Sequence, residues 1–156
     1  MTRTHARELA VLLTASMAPG ERAAEAVERF FEEEHYATLS GEDGVFAEYP
    51  DDTQMEYIRA LVETAAEHRE ALDERIERHA QGWKAERLSR PVRAILRCAL
   101  CEILYFPDVP DAAAINEAVV LAKKYGEAEE TPAFVNGVLG GFMRAEAAEK
   151  SDPPSE

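Results

Sequence analysis

The sequence predicts an all-α protein of about seven helices, with no sheet. Apolar residues recur at helical spacing along the chain, and no segment alternates convincingly with period two. The eight prolines and eight glycines punctuate the sequence rather than pervade it, so they mark where helices stop and start.

Each element follows from those signals. Leu9, Leu12, Leu13, Ser16 and Met17 share one face of a first helix that ends at Pro19-Gly20, with Arg3 and Arg7 together on a flank. A second helix, over about 21–38, turns Ala23, Val27, Phe30 and Phe31 inward and its glutamates to water. Gly41 to Asp52 reads as one long acidic loop. From Thr53 to about Gln81 the apolar pattern returns through Met55, Ile58, Leu61, Val62, Ala65, Leu72, Ile76 and Ala80, with a phase change near His68 that predicts two consecutive helices. Ser89 or Arg90 caps the next helix, with Pro91 in its first turn. That helix, 91–105, is apolar on nearly every side except for an Arg90, Arg93 and Arg97 stripe, which makes it the central helix of the fold. A further helix runs to Tyr125 with Gly126 at its C′ position. Thr131 caps the last one, which starts with Pro132 and runs through Phe142. Residues 1–149 read as a single domain, and 150–156, with Pro153 and Pro154, as a disordered acidic tail.

Composition narrows the function. Apolar residues make up 46% of the 156, too many for a disordered chain. No stretch reaches the roughly 20 uncharged apolar residues of a membrane span, and Met1 to His5 has no apolar segment behind it to serve as a secretory signal. A cytoplasmic location follows, and two cysteines do not make a disulfide framework. The net charge of −14 opposes nonspecific grip on a polyanion. Only residues 89–106 are net positive, so a polyanion site has to be small. Arginine outnumbers lysine 13 to 4, a bias that high-salt adaptation or GC-rich coding would each produce.

Catalysis finds no support. There is no Gly-rich phosphate loop, no G-x-S-x-G and no H-E-x-x-H. His5, His35, His68 and His79 lie on separate elements or exposed flanks and read as solvated. Cys98 and Cys101 sit mid-helix among apolar residues with no second ligand pair, so they read as small buried hydrophobes, and no metal or cofactor is expected. Asn116 and Asn136 stand inside apolar helices and read as a structural hydrogen bond between the last two helices. Gly137, mid-helix, reads as a point of close helix approach. Phe134, in the first turn after Thr131-Pro132, is either core or an exposed ring beside free backbone N–H groups, where a stacked base and its phosphate would fit.

At these residues the sequence resembles the NusB family of bacterial transcription antitermination factors. The resemblance runs over about 90–142: R-A-I-L-R-C-A-L-C-E-I-L-Y (93–105), D-V-P (108–110), I-N-E-A (115–118), L-A-K-K-Y-G (121–126) and F-V-N-G-V-L (134–139), in order and at the family's spacing. A-R-E-L-A-V (6–11) is similar to the family's first helix, whereas 20–88 match in helical layout alone. The resemblance implies two packed helical subdomains and a role without catalysis: binding boxA RNA of ribosomal leader transcripts with the ribosomal protein NusE, then joining the RNA polymerase elongation complex with other Nus factors. Members of the family occur as monomers and as homodimers. It also implies that RNA meets Arg3, His5 and Arg7 on the first helix and Glu130 and Phe134 at the start of the last. Thr4 interrupts the basic run, and Ala133 stands where a basic residue is common, so the isolated protein is expected to bind RNA weakly. Two competing readings are a stand-alone relative of the helical domain of rRNA cytosine methyltransferases and a helical scaffold that binds NusE alone, the latter favoured by the acidity.

Overall fold

The computed structural model describes residues 2–39, 46 and 48–147. Among them are eight α-helices, one 3-10 turn and one π turn, and no strand. The chain divides into two compact units, Met1–His68 and Arg69–Glu156. No helix is long and apolar enough to cross a membrane among the described residues.

The first unit holds four helices. Helix α1 (Arg3–Ser16) starts where the Thr2 hydroxyl accepts from the His5 N–H at 3.1 Å. Its innermost residues are Ala6, Leu9, Ala10 and Leu13, all fully buried. The stripe lies to one side of the predicted face, since Leu12 is only half-buried and Ser16 is exposed. Helix α4 (Asp52–Glu67) packs Ile58, Leu61 and Val62 in the same core. Asp51, expected in the loop, caps it instead: its carboxylate accepts from the Gln54 N–H at 2.8 Å while the Gln54 amide accepts from the Asp51 N–H at 2.9 Å. The expected loop residues 41–45 lie outside the described residues.

The predicted second helix is two helices, α2 (Ala23–Phe30) and α3 (Glu33–Leu39). Val27, Phe30 and Phe31 share a helix face, but at about 100° per residue one continuous helix would carry Tyr36, nine residues after Val27, to the opposite side. A break at Phe31 lets Tyr36 turn inward as well: the Phe30 and Phe31 rings meet edge to face at 5.0 Å, and the Phe31 ring stacks on Tyr36 at 5.7 Å. Tyr36 and Tyr49 fasten the cluster by donating to the Glu48 carbonyl at 2.7 Å and the Phe31 carbonyl at 2.6 Å.

The second unit is built around α6 (Arg90–Tyr105), preceded by α5 (Arg69–His79) and the 3-10 turn Ala85–Arg87, and followed by α7 (Asp111–Tyr125) and α8 (Thr131–Phe142). The predicted break at His68 is present, with α4 ending at Glu67. Gln81 and Gly82 reverse the chain after α5 with φ of 52° and 91°. Ser89 caps α6, its hydroxyl accepting from the Val92 N–H at 3.4 Å. Helix α6 contacts α5, α7 and α8, as a helix apolar on most sides must. Cys98 and Cys101 are buried in this core and form no disulfide, and burial pushes the Cys101 thiol far above its usual range. No group of three or more His, Cys, Asp or Glu that could hold a metal occurs among the described residues.

Several local expectations are corrected here. Thr131 is the first helical residue of α8 rather than its cap; Glu130 takes the cap position, and the Thr131 hydroxyl accepts from the Ala128 N–H at 3.4 Å. Gly126 is the extended C-cap of α7, not a left-handed C′ residue; glycine is needed because a Cβ would come within 2.6 Å of the Thr131 side chain. Asn116 and Asn136 are exposed and form no hydrogen bond joining α7 to α8. A Cβ on Gly137 would meet nothing within 4 Å, whereas one on Gly141 would lie 3.2 Å from His79 Nδ1, so the close approach is at Gly141. His79 is not a solvated histidine: its Nε2 lies 2.6 Å from the carboxylate of Glu146, on the π turn Met143–Ala147. Glu146 also accepts from Arg78 at 2.8 Å. The predicted acidic tail lies outside the described residues.

Candidate nucleic-acid interface

The five residues implied to meet RNA divide between the units: Arg3, His5 and Arg7 in the first, Glu130 and Phe134 in the second. On α1, Arg3 and His5 are exposed at the capped N-terminus. The Arg3 guanidinium carbon lies 3.9 Å from the centroid of the Tyr57 ring on α4. A cation over an aromatic face is held without losing its charge, so Arg3 keeps a full positive charge at a fixed position on the surface. Arg7 differs. It is 5% exposed, beside an equally buried Glu8, and its guanidinium carbon lies 6.0 Å from the same Tyr57 ring. A guanidinium this enclosed supports the ring that carries Arg3 and offers little surface to an outside phosphate. Arg3 and His5 are therefore the outward members of the trio on α1, with Arg7 beneath them.

In the second unit Glu130 and Phe134 come together. Both line an open groove of about 320 Å³, with Trp83, Arg87, Val92 and Glu127 among its other walls. The Phe134 N–H bonds to the Glu130 carbonyl at 3.0 Å, which sets the ring one helical turn in from the start of α8. Glu130 makes no side-chain cap bond, and Phe134 is half-buried, with part of its ring in the groove. The two alternatives left open for Phe134 thus meet in one residue.

The arginine stripe of α6 splits in the same way. Arg97 is locked to Asp73 of α5 by two hydrogen bonds of 2.7 Å, so it is structural. Arg90 is exposed and Arg93 half-exposed, and neither forms an ion pair among the described residues. Two functional candidates escape a reading of the sequence. Tyr57 lies one position before Ile58 on an ordinary amphipathic helix, and Trp83 stands alone in the polar stretch Gln81–Arg87. Periodicity marks neither; the only signal for Trp83 is that an unaccompanied tryptophan follows a chain-reversing glycine.

Comparison with known proteins bears on this geometry. The sequence model of the NusB family matches residues 4–144. A transcription antitermination protein NusB of Thermoanaerobacter sp. strain X514 is 46% identical over 99 residues, which cover 64% of this chain and 69% of the relative. Among solved structures, NusB of T. maritima superposes with a TM-score of 0.68 at 26% identity over 96% of each chain. A chain from the crystal structure of antitermination factors NusB and NusE in complex with dsRNA superposes with a TM-score of 0.63 at 28% identity, covering 92% of this chain and 96% of its own. The family match runs from residue 4 on α1 through the Phe134 groove to residue 144 and so spans both units, and the chain belongs to the NusB family of transcription antitermination proteins.

Proposed function

We propose that this protein is a cytoplasmic antitermination factor that binds boxA RNA of ribosomal leader transcripts together with NusE and joins the elongating RNA polymerase, acting by binding and not by catalysis. The observation that carries the reading is the pairing of Glu130 and Phe134 in one groove at the start of α8, in a chain similar along most of its length to a component of a NusB–NusE–dsRNA complex. Phe134 supplies a face for a base, Arg3 supplies charge for phosphate, and His5 supplies a ring hydrogen-bonding group beside it. One exposed arginine at α1 is a modest phosphate grip for a chain of net charge −14, so the isolated protein binds RNA weakly and gains affinity from its partner. The acidity itself attracts a basic ribosomal protein and speeds that encounter.

The test is a salt titration of boxA RNA binding, with and without NusE, against a scrambled RNA. Selective binding that strengthens with NusE is expected. Binding to NusE with no boxA preference at any salt would overturn the RNA reading and leave a protein-only scaffold. Phe134→Ala is expected to weaken RNA binding by about 1–3 kcal/mol while NusE binding stays intact.

A further inference from the structure

Trp83 is the only tryptophan of the chain and is 53% exposed, an apolar ring left in water at the mouth of a groove. Its place is set by the backbone. Gly82 turns the chain with φ 91°, the Trp83 N–H bonds to the Ala80 carbonyl at 3.2 Å, and the 3-10 turn Ala85–Arg87 follows directly. The backbone that carries the ring is thus set before anything binds, which lowers the cost of ordering this segment around a ligand.

The other walls narrow what that ligand is. Phe134 lines the same groove, so two aromatic rings border one space of about 320 Å³, at the small end of ligand sites. A volume of that order suits a single planar ring with its sugar and excludes a folded helix. The groove also carries two carboxylates, Glu127 and Glu130, and one guanidinium, Arg87. Carboxylates accept hydrogen bonds from the amino edge of cytosine, adenine or guanine and repel phosphate, while Arg87 suits the phosphate they repel. Flat apolar faces, acceptors and a lone cation together match the three parts of a nucleotide. A basic peptide would use the carboxylates but would meet Arg87 as a like charge.

We propose that the Trp83–Phe134 groove takes one unpaired nucleobase of single-stranded RNA, stacked on the Trp83 indole, its amino edge toward Glu127 and Glu130 and its phosphate toward Arg87. This deepens the RNA-binding reading and rests on it. Trp83 becomes a second stacking residue beside Phe134, and the two carboxylates turn an acidic surface into a source of base preference.

The single tryptophan makes the test direct. The full chain is titrated with a single-stranded boxA oligoribonucleotide, following Trp83 fluorescence and, in parallel, the anisotropy of labelled RNA. The expected result is quenching that saturates together with the anisotropy. Trp83→Ala weakens binding about tenfold, Trp83→Phe stays within about threefold because it keeps a stacking face, and both melt like the parent because the ring is exposed. If RNA binds and Phe134→Ala weakens it, but Trp83 fluorescence is unmoved and Trp83→Ala binds like the parent, this inference falls and the RNA reading stands. If the parent binds no RNA with or without NusE, both fall. If NusE alone shifts the Trp83 signal and RNA does not, the groove belongs to the protein partner and the base-stacking assignment is overturned.

Discussion

Arg97 on α6 and Asp73 on α5 face each other as a matched pair, the guanidinium giving Nε and Nη2 to the two carboxylate oxygens at 2.7 Å each. Both side chains are largely shielded from water, so the pair is held where solvent screens it weakly. Removing one partner strands the other's charge. Arg97→Ala is expected to cost on the order of 2–3 kcal/mol of stability by urea denaturation, with RNA and NusE affinity unchanged. A loss of RNA binding without a loss of stability would move Arg97 from the frame of the protein to its binding surface.

Arg3 and Arg7 should part company on mutation, although they lie one turn apart on α1. Arg3→Ala is expected to leave stability within about 0.5 kcal/mol, weaken RNA binding, and flatten the log–log salt dependence by about 0.7, one phosphate contact on a single strand. Arg7→Ala is expected to lower stability by about 1–3 kcal/mol, because it removes a buried side chain and opens the site beneath Tyr57. Equal salt slopes for the two variants would refute this division of labour.

Tyr36 predicts a specific alkaline weakness. Burial first, then the neighbouring Tyr49 and Glu48, raises its hydroxyl from the usual 10.0 to about 12. The folded state holds this proton after an unfolded tyrosine has released it. The stabilisation is therefore complete below pH 10 and is lost as pH rises from 10 toward 12. Tyrosinate absorbance at 295 nm, compared between the parent and Tyr36→Phe, should show a late-ionising group that the variant lacks. Tyr36→Phe should remove part of the stability loss above pH 10, at a cost of about 1 kcal/mol at neutral pH for the missing bond to the Glu48 carbonyl.

Two glycines of α8 give opposite expectations. Gly137 sits inside the helix with open space where a Cβ would go, so Gly137→Ala should add about 0.5–1 kcal/mol of stability. At Gly141 the same methyl would press on the His79 ring at 3.2 Å, and the helical gain should be offset or reversed. Matched urea melts of the two variants decide it; a gain at Gly141 equal to that at Gly137 would show that the His79–Glu146 pair yields freely.

The sequence made much of the helical frame legible, because its signals are local: Pro91 after Ser89, the phase change at His68, the nearly all-apolar run of α6. What escaped depends on distant partners. Nothing in Glu32–His35 stops a helix; the break at Phe31 goes with bringing Tyr36 inward to stack on Phe31. The buried stripe of α1 is turned toward Ala6 and Ala10, small residues that count for little in an apolar pattern and much in close packing with α4. Asn116 and Asn136 looked like internal residues because their neighbours are apolar, yet both face outward. The candidate interface could be named from the sequence only through the family resemblance, at Arg3, His5, Arg7, Glu130 and Phe134. It was illegible at Tyr57 and Trp83, single aromatic residues whose significance lies in what stands across from them.

Gln81 carries a further implication, for the ways this sequence is free to change. With φ at 52° it occupies the left-handed region, which costs a side chain with a Cβ about 1–2 kcal/mol relative to glycine. Drift at this position is therefore lopsided. Glycine or asparagine would ease the turn and raise the melting temperature, whereas valine, isoleucine or threonine would oppose the reversal that brings the chain to Trp83. A library randomised at residue 81 and selected only for heat resistance should converge on the first pair and lose the second group early.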